Sequence, residues 1–428
     1  MRVSRRRWGI GIAGGLLGFY TVWHYLHGAF FYKGYGDFLL LLEWVRQWTL
    51  GGQFNSEWVY MYPPFFYVLN APFAWMSNPM AVRIMLTLNH LFLGVCLALL
   101  AMALSPKPGK GLWLWLLLPL ALNFRPLLST LSMAKIELLQ LSLLLGSLAA
   151  FQRRRPWITG GLVACAGMIK PLPLLLFLYF AWKREWRVVA AWGVAALAIL
   201  SFCSLFIGPH SVWTYMVNLV GTGARNQILW YEDQSLQGAA SRLFQPIRPG
   251  HVISAFVPSP FSMALGWGLR LLVLGWLGFL TRPRPILSAR RLAGEWSITM
   301  AGMLLLSPFS RDYYAVFLLP AYLFLAHHLW AERAPLRSPG CWLGILSYGL
   351  VGQGFPLGLI ERLPHWVEGA DNFQVYLHYG IPTAGYCLLI AAFAFAWRRT
   401  SARQVSSQST ETFGRSRLAT PSMEEKDA

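Results

Sequence analysis

Between Trp186 and Ile207 the chain runs for 22 residues with one charged side chain, Arg187, near its start. A run of that length and polarity matches the roughly 20 residues that a helix needs to cross the ~30 Å hydrocarbon core of a bilayer. Similar runs recur at about Trp8 to Leu26, Met80 to Leu104, Leu112 to Leu128, Leu131 to Ala150, Cys341 to Leu359 and His378 to Trp397. They are continuous instead of alternating with period two, which points to helices and not to a barrel. Only 12% of the 428 residues are charged and 56% are hydrophobic, against roughly 25% charged in an ordinary soluble domain. The expected fold class is an all-α polytopic membrane protein of about 12 helical spans, including a broken hairpin, with large external loops and both termini cytoplasmic.

The formal charge of +19 raises the question of nucleic acid, and the distribution answers it. Twenty-four of the 36 Lys and Arg fall in termini and short connectors, among them Arg5 to Arg7, Arg153 to Arg155, Lys183, Arg184, Arg290, Arg291 and a tail from Arg398. Clustered on one side of successive apolar runs, these charges follow the positive-inside pattern and predict no nucleic-acid partner. The five cysteines, Cys96, Cys165, Cys203, Cys341 and Cys387, all lie in apolar segments without a CxxC spacing. Neither a disulfide nor a metal site is expected, and no cofactor. The basic start followed by the apolar run from Trp8 to Trp23 reads as a retained signal anchor.

Walking the chain with that sidedness places residues 1–397 in one transmembrane domain, with external segments at about 27–79 and 208–260. The basic, Ser- and Thr-rich residues 398–428 read as a disordered cytoplasmic tail. Arg155 and Lys183 should face the same side, although only about 26 residues separate them, too few for two full crossings. A hairpin broken at Ile169-Lys170-Pro171 resolves this, because Pro lacks an amide donor and disfavours helix in the residue before it. Arms of about 12 residues span roughly 18 Å, so the apex and Lys170 are expected inside the protein. A second close pair, about Leu292 to Pro308 and Tyr314 to Leu329, meets at Ser307-Pro308-Phe309-Ser310-Arg311-Asp312-Tyr313.

Several polar groups stand out against this apolar background. Asp37, after the first apolar run, reads either as a helix N-cap or as a general base at the outer face. Tyr62, in Tyr60-Met61-Tyr62-Pro63-Pro64, reads as an interfacial anchor or as part of a rigid substrate-facing segment. Arg125, Lys135, Glu137 and Lys170 lie in or at the edge of apolar runs, where an unpaired charge costs roughly 2.5–3.5 kcal/mol. Lys135 and Glu137 can pair with other spans, whereas Arg125, Lys170 and Arg311 can offer cations to a phosphate from three separate turns. Glu232-Asp233-Gln234-Ser235 suits carbohydrate hydroxyls or an ordinary wet loop. Motifs for cytosolic nucleotide chemistry are missing from the sequence.

Taken in order, these motifs resemble the polytopic glycosyltransferases of GT-C architecture that use polyprenyl-phosphate sugars, in particular the mannosyltransferase-like glycosyltransferase family 87. The resemblance rests on Asp37, on Tyr62-Pro63-Pro64 with Ala71-Pro72, and on Gly160-Gly161-Leu162 before Lys170-Pro171. It also rests on Gln234-Ser235-Leu236 and on Leu306-Ser307-Pro308 before Asp312-Tyr313-Tyr314. Two positions depart: Ala134-Lys135-Ile136-Glu137 stands where the family often has Gly-Gln-x-Asn, and Arg311-Asp312-Tyr313-Tyr314 where it often has Trp-Asp-His-Tyr.

The resemblance implies metal-independent, inverting transfer of a hexose, foremost mannose, from a polyprenyl-phosphate donor to a glycan or glycolipid hydroxyl. It implies Asp37 as base, Lys170, Arg311 and Arg125 on the donor phosphate, and Tyr62, Gln234, Ser235, Asp312 and Tyr313 on the substrate. The expected location is the bacterial inner (plasma) membrane, multi-pass within the lipid bilayer, with the site facing the periplasm or exterior. A lipid-linked saccharide transporter or flippase, or an enzyme like an O-antigen ligase or polymerase, is the alternative. Internal repeats would favour the transporter, and only two loosely similar hairpins are present.

Overall fold

The computed structural model describes residues 19, 23, 36–51, 62–104, 119–225, 232–244, 258–283, 288–331, 335, 337–352 and 372–397. Every regular element among them is a helix. The expected first span beyond residues 19 and 23, Tyr60-Met61 and the tail 398–428 lie outside the described residues. Four described helices are long and apolar enough to cross a bilayer: Asn78–Leu104, Trp186–Ile207, Pro260–Leu280 and the continuous run Asp312–Ala331. Glu137–Gln152, Pro156–Ile169, Leu172–Trp182 and Ile381–Trp397 are shorter apolar helices.

The outer faces of the long helices are apolar, unlike those of a soluble fold. Leu197, Leu205 and Phe206 on one long helix, and Leu271, Leu272 and Phe279 on another, are exposed, whereas Gln140, Ser147, Glu295 and Ser297 are buried. Apolar groups facing outward and polar groups facing their neighbours is the arrangement a lipid solvent selects. Asp312–Ala331 runs through the centre, with Tyr313 through Leu325 buried along it.

The broken hairpin lies where proline demands it. Helix Pro156–Ile169 stops at Lys170, whose backbone is extended (φ −155°, ψ 133°) as a residue before Pro must be, and Leu172–Leu174 forms a 3₁₀ turn before helix Leu175–Trp182. Arms of 14 and 8 residues rise about 21 and 12 Å, short of a ~30 Å core. Gln140 Nε2 braces the break, donating to Ala166 O at 2.7 Å, which also accepts from the Lys170 amide, and to Lys170 O at 3.3 Å. At the other end, two equivalent turns flank the hairpin: Arg154 and Arg184 have φ of 55° and 58°, and the amides of Arg155 and Glu185 close onto Ala150 O and Phe180 O, each at 3.0 Å. Helix Pro156–Ile169 also packs directly on Trp186–Ile207. A Cβ at Gly160 would come within 2.4 Å of Val188 O, so only glycine allows this approach.

Two expected elements are corrected, the first being the run Leu112 to Leu128, which breaks at Phe124 (φ −79°, ψ 106°) before a helix that starts at Arg125. In place of a continuous helix from Leu131 to Ala150, helix Arg125–Ser132 ends in a turn with Ala134 at φ 52°, and a new helix begins at Glu137. Lys135 N closes the turn onto Thr130 O at 3.0 Å. A straight helix would have carried Lys135 and Glu137 into an apolar environment, where ionised groups need partners. The turn delivers both to partners.

Candidate active site

Asp37 opens helix Gly36–Gly51, in the first turn, where the helix dipole favours a carboxylate. Phe38, Leu42 and Val45 recur at helical spacing and bury one face, which seats the helix against the protein. The opposite end is pinned by Arg46, whose guanidinium donates to Met76 O at 2.7 Å, Asn78 Oδ1 at 2.7 Å and Ala74 O at 3.3 Å. So held, Asp37 Oδ2 accepts a hydrogen bond from Lys135 Nζ at 2.6 Å, its own side chain 53% exposed and the lysine's 4%. Burial pushes the Asp37 pKa up. Lys135, through its charge and its hydrogen bond, together with Arg311 and Lys170, more than offsets that and holds it below the ordinary carboxylate value. The carboxylate is therefore ionised at neutral pH and lies within electrostatic reach of three cations.

Lys170 sits at the hairpin break, buried and ion-paired to Glu137 Oε1 at 2.8 Å. Three aromatic rings surround its ammonium: Tyr314 at 4.1 Å, Tyr62 at 5.1 Å and Tyr313 at 5.7 Å from ring centre to nitrogen. Cation–π contacts of this kind stabilise a lysine taken out of water. Tyr313 also faces Lys135, at 4.7 Å, so one ring touches both lysines. Tyr62, rigidified by Pro63 and Pro64, packs on Phe66 with ring centres 4.3 Å apart. Burial raises its pKa and keeps the phenol protonated.

Arg311 and Asp312 enter from the second tight turn. Arg311 pairs with Glu232 and lies over Phe309 at 5.3 Å. Asp312 points to the other side of its 3₁₀ turn, where with Arg125, Pro126 and Tyr376 it lines a separate small cleft, and Arg125 stacks on Phe373 at 4.2 Å. Arg125 is thus placed apart from the Asp37 cluster. Gln234 and Ser235 are fully buried and bonded to the framework. Gln234 Nε2 donates to Leu377 O at 3.0 Å, its backbone amide donates to Ser310 O, and Ser235 caps helix Leu236–Arg242 through the Gly238 amide at 3.1 Å.

Asp233, between Glu232 and Gln234, organises this corner. Its Oδ1 accepts from the amides of Ser310 at 2.8 Å and Ser235 at 3.0 Å, and its Oδ2 from Ser235 Oγ at 3.0 Å. Burial raises the Asp233 pKa against the pull of Arg242 and these hydrogen bonds. A Cβ at Gly238 would collide with the Asp233 carboxylate at 2.7 Å, so glycine makes room for it. The carboxylate thereby fixes Ser310, the residue before Arg311.

Three residues of the cluster were not among the expected site residues: Lys135, Glu137 and Glu232. The first two are the charged residues of Ala134-Lys135-Ile136-Glu137, where the chain departs from the pattern of the family it resembles. They supply the partners of Asp37 and Lys170. That departure was the available signal, together with the cost of leaving such charges unpaired in an apolar run.

Residues 60–308 match glycosyltransferase family 87. That stretch contains Tyr62, Lys135, Glu137, Lys170 and Gln234, with Asp37 and Arg311 beyond its ends. Three curated proteins are similar over parts of the chain. The polyprenol-phosphate-mannose-dependent alpha-(1-2)-phosphatidylinositol pentamannoside mannosyltransferase of Mycolicibacterium smegmatis is 30% identical over 230 residues, 53% of this chain and 51% of the relative. The protein of the same name from Mycobacterium tuberculosis is 28% identical over 288 residues, 67% of this chain and 60% of the relative. A polyprenol-phosphate-mannose-dependent alpha-(1-2)-phosphatidylinositol mannoside mannosyltransferase, also from Mycobacterium tuberculosis, is 27% identical over 202 residues, 43% of this chain and 45% of the relative. The chain therefore spans between 45% and 60% of the length of these relatives. No solved structure matches the chain at a significant level.

Proposed function

The chain belongs to glycosyltransferase family 87, and from that premise we propose that it transfers a hexose, mannose foremost, from a polyprenyl-phosphate donor to a hydroxyl of a glycolipid or glycan. In this reading it is an inner-membrane protein with about 12 spans and cytoplasmic termini, and the Asp37 end faces the periplasm or exterior. The observation that carries the reading is the convergence of one half-exposed carboxylate, Asp37, with Lys135, Lys170 and Arg311. A reaction that takes a proton from an alcohol and releases a phosphate needs that pair of functions side by side.

The proposed step is an in-line displacement with inversion. The acceptor oxygen forms a bond to the anomeric carbon as the bond from that carbon to the phosphate oxygen breaks, and the electron pair leaves with polyprenyl phosphate. Asp37 receives the hydroxyl proton. Lys170 and Arg311 stabilise the charge that develops on the phosphate, an electrostatic role that such cations can fill without a metal ion. Lys135 orients the Asp37 carboxylate and keeps it ionised. Tyr62 and Tyr313 flank Lys170 and would border the sugar. Gln234 and Ser235 would act on the substrate through the Ser310–Arg311 turn that they brace, and Asp312 and Arg125 through the neighbouring cleft. Apolar surfaces between helices would hold the prenyl tail.

A donor screen with the purified protein tests the reading. Polyprenyl-phosphate mannose should be consumed with release of polyprenyl phosphate, at a rate above that for the corresponding glucose and galactose donors. Failure to consume any polyprenyl-phosphate hexose would overturn it.

A further inference from the structure

The ion pair between Lys170 and Glu137 leaves one atom unaccounted for. Glu137 Oε1 takes the lysine at 2.8 Å, yet Oε2, equally buried, has no hydrogen-bond partner among the described residues. A buried carboxylate oxygen without a donor forfeits a charge-assisted hydrogen bond, and such positions in native structures call for an explanation. Two observations supply one. Glu137 lies on the wall of a narrow cleft bordered also by Tyr62, Asn70, Lys135 and Phe66. The Asn70 amide on the same wall is already engaged, donating to Phe66 O at 2.8 Å, and Lys135 is engaged by Asp37. Glu137 Oε2 is thus a buried acceptor on that wall with capacity in reserve.

We propose that Glu137 Oε2 accepts a hydrogen bond from one hydroxyl of the donor hexose, which makes Glu137 a specificity-determining residue for the sugar. This rests on the glycosyltransferase reading above. The geometry favours the donor sugar over the acceptor, because Glu137 is bonded to Lys170, the cation assigned to the donor phosphate. A hydroxyl of a hexose esterified to that phosphate lies within one ring's width of it. The carboxylate would then hold the phosphate-binding lysine with one oxygen and read the sugar with the other. Placement at the first turn of helix Glu137–Gln152 suits the double role, since the helix dipole favours a charge there and the backbone fixes its direction. Hydroxyl recognition by a charged buried acceptor discriminates strongly, because the analogue without the hydroxyl leaves the acceptor unpaired again.

The test is a matrix of donors and variants: polyprenyl-phosphate mannose and its 2-, 3-, 4- and 6-deoxy analogues, each with the wild-type protein and with Glu137→Gln, read as kcat/KM. The wild type is expected to lose about 10- to 100-fold on one deoxy analogue. In Glu137→Gln, whose amide nitrogen takes the place of Oε2 while the amide oxygen stays with Lys170, that discrimination should shrink to a few-fold. If Glu137→Gln slows every donor equally and keeps the wild-type ratios, Glu137 serves only to hold Lys170 and the proposal is overturned. Should Glu137→Gln fail to fold, Glu137→Asp, which withdraws the carboxylate by one methylene, gives the same readout. Absence of transfer from every donor by the wild-type protein would overturn the parent reading along with this one, and so differs from a matrix with transfer but unchanged ratios.

Discussion

The two ends of the helical bundle carry similar ion pairs put to different use. At the end with Arg154 and Arg184, Glu295 is fully buried and saturated: Lys183 Nζ lies at 2.6 Å, Arg291 Nε at 3.2 Å and Tyr179 OH at 3.3 Å. Arg291 continues onto the Trp397 ring at 3.4 Å and Leu280 O at 2.7 Å, so this carboxylate ties four helices together. At the Asp37 end, Asp37 is half exposed and takes one lysine, and Glu137 keeps an oxygen in reserve. A carboxylate whose acceptors are all taken by the protein is a clamp. One with acceptors left over, beside a cleft and cations, is equipped for a ligand.

That contrast breaks if the two ends respond alike to mutation. The largest effect is expected from replacing the Lys170–Glu137 pair as a unit. Lys170→Met with Glu137→Leu removes both buried charges, which leaves stability near wild type, while transfer should fall about 100- to 1,000-fold for want of a cation on the leaving phosphate. Thermal unfolding in detergent and initial rates in the same preparation separate the two outcomes. Next comes the Glu295 clamp. Glu295→Ala strands Lys183 and Arg291 without a counter-charge, an expected loss of about 3–5 kcal/mol of stability, with transfer per folded molecule unchanged. A folded Glu295→Ala protein with depressed transfer would mean that the Glu295 end reaches the chemistry. The smallest effect concerns pH. Asp37 can act as a base only when ionised, so the rate should rise as pH climbs through its pKa. Lys135 is the foremost influence holding that pKa down, opposing burial, and Lys135→Gln should therefore shift the acidic limb of the rate–pH profile to higher pH. A limb that stays in place would separate Lys135 from the base.

Legibility followed the range of the interactions. The break at Lys170-Pro171 is dictated by neighbouring residues and was visible in sequence, as were the long helices Trp186–Ile207 and Asn78–Leu104 and the turn that carries Arg311. Asp37 at the head of an amphipathic helix was visible for the same reason. The partners were not. Lys135 meets Asp37 across 98 positions and Lys170 meets Glu137 across 33, and both meetings depend on a turn at Ala134 that adopts a left-handed backbone without glycine to announce it. A straight helix through Leu131 and Ala150 satisfied the hydropathy pattern equally well; only the need to pair two charges argued against it. Gln234 and Ser235, legible as polar loop residues, owe their burial to contacts with Ser310 and Leu377 that no local pattern encodes.

Transfer of radiolabelled mannose from polyprenyl phosphate by Asp37→Asn, in membranes that hold the variant at wild-type level, tests the central claim most directly. Asparagine preserves the shape of the side chain and removes its basicity, so the account predicts a rate about 100- to 10,000-fold lower with donor binding retained. A rate equal to wild type would contradict it.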